Sequence, residues 1–267
     1  MNYGYTDPEE SAAPIVLEKE DRDERYCVWL YHHVASAVDL SNRDVLEVGC
    51  GRGGGASYLA RYLKPNMMVG VDIADRAIDF CRHVHHAERL ASLKGDAENL
   101  PFPDGSFDVV INVESPFCYG DMARFLSEVV RVLRPCSHFL FADLRLAHEV
   151  EGLAADLERS AFAILKSEDI TRRVRRALAL DHERRVGGAN GNIPPFLRGI
   201  VNTFVGAPGT RIPNLLETGE LVYLNFVMQK QSRDGRNPSR YRLSKRSPRR
   251  HAEANEASIP LYMGNPL

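Results

Sequence analysis

Residues 44–55, DVLEVGCGRGGG, followed by ASYLARYL at 56–63, decide the fold of this chain. Val45 and Leu46 open a short apolar run, Gly49, Gly51, Gly53, Gly54 and Gly55 follow, and then a helical pattern begins. Such a stretch reads as strand, glycine turn and helix, because glycine lets the backbone bend sharply and lets a ligand lie against it. Asp72 comes twenty-three residues after Gly49, at the end of a second apolar run, MMVGVD. An acid there can accept from the two hydroxyls of a ribose. The pair points to a nucleotide-type cofactor on a doubly wound sheet.

The turn reads G-C-G-x-G-G-G, which departs from G-x-G-x-x-G, and no G-x-x-x-x-G-K-[ST] occurs. Glu47 lies two residues before the first glycine, where a carboxylate is poor company for a phosphate. It suits a cofactor that carries positive charge and no phosphate, and S-adenosyl-L-methionine (SAM), with its sulfonium and ammonium groups, meets that description. Residues 94–108, KGDAENLPFPDGSFD, then lead into VVINVES. Asp96 follows a third apolar stretch and is placed to accept from an adenine amino group, with Ile73, Ala97, Glu98 and Leu100 beside it. Pro101, Pro103, Asp104 and Gly105 make a turn-rich loop before a fourth strand.

These four stretches, in this order and at these intervals, resemble the successive cofactor motifs of class I SAM-dependent methyltransferases over residues 40–144. LYHHVASAVDL before the first strand, NVESPFCY after the fourth, EVVRVLRPCSHFLFADLR around the fifth and PFLRGIVNTFVGAPGTRIPNLLETGELVYLNFVMQK near the end extend the likeness to residues 26–230. There the chain is similar to mycobacterial lipid O-methyltransferases of the phthiotriol and glycopeptidolipid type, and to actinobacterial natural-product methyltransferases, some of which act on indole or prenyl carbons. The resemblance implies a Rossmann-like, doubly wound, mostly parallel seven-stranded α/β sheet with helices on both faces and a helical cap. It implies SAM as cofactor and S-adenosyl-L-homocysteine as product. One departure is Cys136-Ser137, where that family usually shows Gly-Gly. Since neither residue takes a positive φ as easily as glycine, a different backbone is expected there.

The pattern predicts strands near 44–48, 67–72, 91–94, 107–113 and 137–143, helices near 55–63, 74–82 and 121–133, and a closing pair of strands near 200–205 and 220–229. The chain divides into an N-terminal arm and lid helix (1–39), a SAM-binding core (40–146), a helical acceptor cap after strand five (147–200), C-terminal strands that close the sheet (201–230) and a basic tail (231–267).

Forty-four per cent of the 267 residues are hydrophobic, enough for a full core, yet no run approaches the ~20 apolar residues of a membrane span. The acidic, polar N-terminus is unlike a signal peptide. Five dispersed cysteines without a C-x-x-C pair fit a reducing cytoplasm and no zinc site. His83, His85 and His86 read as a solvated helix end, with no metal expected. Residues 231–251 hold eight Lys or Arg against one Asp, whereas residues 1–230 carry a net −7. An acidic body is ill suited to a phosphate backbone, so no DNA partner is expected. The basic tail reads as solvated, or as a contact for an acidic neighbour, anionic lipid or nucleic acid. The arm offers a route to a homo-oligomer.

Methyl transfer from a sulfonium is an in-line displacement that needs positioning and exclusion of water, and a base only where the acceptor must lose a proton. Ligands of open α/β sheets bind at the carboxyl edge. Asn112 and Val113 are therefore expected at the methionine end of SAM, with Ser115, Phe117 and Tyr119 on the acceptor side. Glu114 is either a proton acceptor or a structural carboxylate. His32 and His33 are candidate bases or packing residues, and Asp143 and His148 are weaker candidates. Tyr5 and Tyr31 are candidates to cover the cofactor, Tyr31 having core packing as its alternative. Glu47, Gly49 and Gly51 complete the cofactor set. No N-P-P-[FY] follows strand four, which removes the usual mark of base amine methylation. The expected acceptor is a lipophilic small molecule methylated on a hydroxyl oxygen. The alternatives are a C-methyltransferase of an indole or prenyl carbon, an RNA methyltransferase recruited by the tail, and a non-catalytic SAM-fold protein.

Overall fold

In the computed structural model the described residues are 2–6, 15–115, 119–182, 184 and 210–231. They form helices α1 (Arg25–Ala35), α2 (Gly54–Tyr62), α3 (Asp75–Val84), α4 (Met122–Val132), α5 (Val150–Arg159), α6 (Thr171–Leu180) and α7 (Arg211–Thr218). The strands are β1 (Asp44–Val48), β2 (Met67–Asp72), β3 (Leu90–Lys94), β4 (Phe107–Val113), β5 (Leu133–Leu146), β6 (Phe162–Asp169) and β7 (Leu221–Lys230). They make one sheet in the order β3-β2-β1-β4-β5-β7-β6. β1 to β5 pair in parallel, and β7 runs antiparallel to both β5 and β6.

The sheet is covered on both faces. Leu30, Val34, Leu59, Val174 and Leu216 from α1, α2, α6 and α7 join Val45, Val109, Ile111 and Leu140 on one side. Phe125, Leu126 and Val129 of α4 and Leu153 and Leu157 of α5 join Leu46, Val110, Phe139 and Phe141 on the other. Each such side chain contributes roughly 1.5–3 kcal/mol when fully buried. The one-sided stripe read on residues 121–133 is the buried face of α4, capped by the Asp121 carboxylate, which accepts from Arg124 N.

Two local expectations change. Residues 147–200 are not helical throughout, because Phe162–Asp169 are β6, an edge strand on β7. Its charged exposed side masked the strand pattern, and only pairing with β7 makes it regular. The other correction concerns Cys136, which does adopt a left-handed backbone (φ +61°) despite its Cβ. Its carbonyl accepts from Gln229 Nε2 at 2.9 Å, so the β5–β7 pair holds the strained residue in place. The expected strand near 200–205 and the basic tail lie outside the described residues.

Candidate functional site

The glycine turn leaves β1 with Gly49 at φ +72°. A Cβ there would overlap Ser115 Oγ, so the turn and the end of β4 approach as closely as glycine permits. Gly51, at φ +52°, faces open space, and a methyl group in place of its hydrogen would meet nothing within 4 Å. Its N–H donates to Asp72 Oδ2 at 2.8 Å, and Ala74 N donates to Asp72 Oδ1 at 2.9 Å. The acid at the end of β2 thus orders the turn while each carboxylate oxygen retains capacity for a second donor.

Around this turn opens a cavity of about 450 Å³. Gly49 to Gly51 form its floor, Asp72 and Ile73 one side, Gly95 to Glu98 the next, and Val113 to Ser115 the far end. Ile73 is 66 % exposed and Ala97 is 9 % exposed, which leaves apolar surface for a flat ring. Asp96 Oδ1 accepts from Glu98 N at 2.9 Å, and Glu98 Oε1 ties down Gly120 N and Asp121 N. Arg131 of α4 donates to the carbonyls of Leu100 and Phe102, and Glu128 accepts from Leu100 N, so α4 clamps the proline-rich loop after Asp96. Asp72, Asp96, Glu98 and Glu114 line the cavity, and no Lys, Arg or His does among the described residues. A cavity so lined repels phosphate and suits a nucleoside cofactor with a sulfonium and an ammonium group.

Glu47 does not line the cavity. It is fully buried, and Tyr31, which does line it, donates Oη–H to Glu47 Oε1 at 2.5 Å. Burial pushes the Glu47 carboxyl up to about 8. The Tyr31 ring lies on the start of α2, where a Cβ on Gly55 would overlap Tyr31 Cζ. The third glycine of the GGG run is therefore a seat for an aromatic ring.

Beyond β4, on the cavity wall, Glu114 has φ +53°, its N–H donating to Ala142 O. Its Oε1 accepts from Tyr3 N at 2.8 Å and from Tyr223 Oη at 2.9 Å. Asn112 is fully buried and lies behind the wall. Its Nδ2 lies 2.9, 2.7 and 3.0 Å from Val48 O, Ser115 Oγ and Tyr119 Oη, its two hydrogens shared among them, which fixes the two hydroxyls that do line the cavity. Phe117 lies outside the described residues.

The histidines are elsewhere. His32 Nδ1 is 2.8 Å from Tyr58 Oη. His33 Nε2 is 3.2 Å from Glu168 Oε2 and 3.4 Å from Asn225 Nδ2, and its ring stacks on Tyr5 at 4.2 Å. None of His32, His33 and Tyr5 lines the cavity. Asp143 is fully buried, with Arg145 Nη2 2.9 Å from its Oδ2, and burial pushes its carboxyl up to about 7.

The sequence reading missed Asn2 and Cys50, both lining the cavity. Asn2 arrives because residues 2–6 dock on α1 of their own chain: Tyr5 N donates to Tyr26 O, Asn2 Nδ2 to Cys27 O and Gly4 N to Asn2 Oδ1. The signal available was Gly4, whose φ of +81° lets the arm lie on Tyr26. Tyr223 and Glu168 were missed because both belong to strands distant in the chain.

Residues 46–141 match the methyltransferase-domain family. Over 230 residues the chain is 41 % identical to the phthiotriol/phenolphthiotriol dimycocerosates methyltransferase of Mycobacterium tuberculosis, covering 86 % of this chain and 84 % of that protein. Over 150 residues it is 46 % identical to the fatty-acid O-methyltransferase of Mycolicibacterium smegmatis, covering 56 % and 54 %. Its fold is similar to that of geranyl diphosphate C-methyltransferase from Streptomyces coelicolor, with a TM-score of 0.61 at 16 % identity over 86 % of this chain and 92 % of the other. Fold and cavity together define a SAM-dependent methyltransferase. The chain belongs to the methyltransferase family that includes the phthiotriol dimycocerosates enzymes.

Proposed function

We propose that this methyltransferase acts on a hydroxyl oxygen of a lipophilic acceptor, a complex lipid or secondary metabolite, in the cytoplasm. The observation that carries the reading is the 41 % identity, across 84 % of its length, to a methyltransferase named for phthiotriol lipids. Glu114 at the far end of the cavity supplies the chemistry a hydroxyl needs. When bound, SAM offers a methyl carbon on a sulfonium and leaves as S-adenosylhomocysteine. Asp72 would accept from the ribose hydroxyls and Asp96 from the adenine amino group, and Ile73 and Ala97 would flank the ring. Tyr31, Asn2 and the Ser115–Tyr119 wall, braced by Asn112, exclude water from the methyl end. Glu114 would accept the proton of the acceptor hydroxyl. The free thiols of Cys50, Cys81 and Cys136 support a reducing compartment. No helix among the described residues is long and apolar enough to cross a membrane.

The test is incubation with methyl-labelled SAM and a solvent extract of the host, followed by chromatography and mass spectrometry. Label in one organic-soluble species, with fragment ions placing the methyl on oxygen, is the expected result. Label on carbon, or in RNA when total nucleic acid is supplied, overturns the hydroxyl acceptor.

A further inference from the structure

Two polar residues stand two apart on β7, Tyr223 and Asn225, and alternation along a strand puts both on one face. That face meets α1 and the docked arm. Asn225 reaches His33, and Tyr223 reaches Glu114. Tyr223 is fully buried, and its phenol donates to the same Glu114 oxygen that the Tyr3 backbone N–H addresses. β7 is antiparallel and more than a hundred residues from β4, so no local feature of the chain brings this hydroxyl to the cavity.

We propose that Tyr223 is a positioning residue that holds Glu114, with the docked arm, in the orientation from which it serves the acceptor; this rests on the reading of Glu114 as proton acceptor. Three observations support it. Glu114 is held at φ +53°, a conformation a non-glycine residue keeps only where its surroundings impose it, and its side chain accepts from donors of two distant segments. Burial, and after it the Glu114 carboxylate, keep the Tyr223 phenol protonated far above its ordinary range, so it remains a donor throughout the working pH. The second donor is the Tyr3 backbone, so that contact exists only while residues 2–6 are docked, with Asn2 lining the cavity. The geometry couples closure of the arm to the placement of the carboxylate.

Two variants test this, Tyr223→Phe, which keeps the buried ring, and Glu114→Gln, with wild type and the double variant beside them. The Glu114 carboxyl is followed by carbon NMR through a pH titration, its signal identified by its loss in Glu114→Gln. Turnover of the organic-soluble acceptor and SAM affinity by calorimetry are measured on the same samples. In Tyr223→Phe the carboxyl midpoint is expected to rise by about one pH unit, the tenfold in proton affinity that loss of one hydrogen bond to a charged group commands. The acidic limb of kcat/KM should move with it, kcat should fall about tenfold and SAM affinity should stay within about twofold. Added to Glu114→Gln, Tyr223→Phe should cost little more, because residues acting as one unit are non-additive. A midpoint that does not move, or an equal loss of turnover with and without the Glu114 carboxylate, overturns the inference and returns Tyr223 to packing. Wild type that methylates no lipid hydroxyl ends the acceptor reading instead, and the titration still decides Tyr223.

Discussion

Tyr31 Oη lies 2.5 Å from Glu47 Oε1, joining α1 to the buried end of β1 at the wall of the cavity. Among the described residues Glu47 Oε2 has no hydrogen-bond partner, so one phenol stands between this carboxyl and an apolar interior. A carboxylate in that position is unfavourable by itself.

This burial makes stability fall as pH rises. Glu47 is pushed up to about 8 and Asp143 to about 7, both chiefly by desolvation, from ordinary values of 4.5 and 3.8. With folded values above unfolded ones, the folded state binds more protons across that window. The contribution is therefore complete below about pH 4 and is lost as pH rises through 7 and 8. Each group should lower stability by up to about 1.4 kcal/mol per pH unit between its two values. Denaturant unfolding of the cofactor-free protein at pH 5 and pH 8 should show the loss, and Glu47→Gln should flatten it. A curve of unchanged slope in that variant refutes the assignment to Glu47.

Gly55→Ala should destabilise the protein by about 1–3 kcal/mol, the usual cost of overpacking. The new methyl would overlap the Tyr31 ring and displace it from Glu47. Calorimetric melting reads the loss, and an unchanged melting temperature would mean that Tyr31 moves at no cost.

Asp72→Ala should weaken SAM binding by about 10–100-fold, corresponding to roughly 1–3 kcal/mol. The loss has two parts, the ribose hydrogen bonds and the ordering of Gly51, whose N–H would lose its acceptor. Titration calorimetry measures it, and unaltered affinity removes Asp72 from the ribose.

Cys136→Gly should stabilise the chain by about 0.5–1 kcal/mol. Glycine adopts the observed φ of +61° freely, and relief of that strain exceeds the extra entropy glycine loses on folding. Thermal unfolding checks the sign, and a lower melting temperature would show that the Cys136 side chain contributes packing worth more than the strain.

Much of the cofactor half was legible because its signals are local. Glycines set the turn at 49–53, apolar runs set β1, β2 and β4, and Asp72 and Asp96 stand at strand ends where a parallel sheet presents them. Glu114 was legible beyond β4 as a proton acceptor or a structural carboxylate, but its donors Tyr3 and Tyr223 were not, since they reach it from more than a hundred residues away in either direction. His32 and His33 read as candidate bases or packing residues on α1; neither lines the cavity, and their rings meet Tyr58 and Glu168. β6 was hidden because an edge strand with Lys166, Glu168 and Asp169 lacks the alternation that marks a half-buried strand.

The amino-acid order by itself determined the class of fold, the cofactor turn and the acids that flank it, because spacing within a strand–turn–helix unit fixes which side chains share one edge. Tertiary structure decided which groups meet at the acceptor end. The arm, α1, β4 and β7 converge there through packing and antiparallel pairing between segments far apart in the chain, and hydrogen-bond partners at such separations leave no periodic or local trace to read.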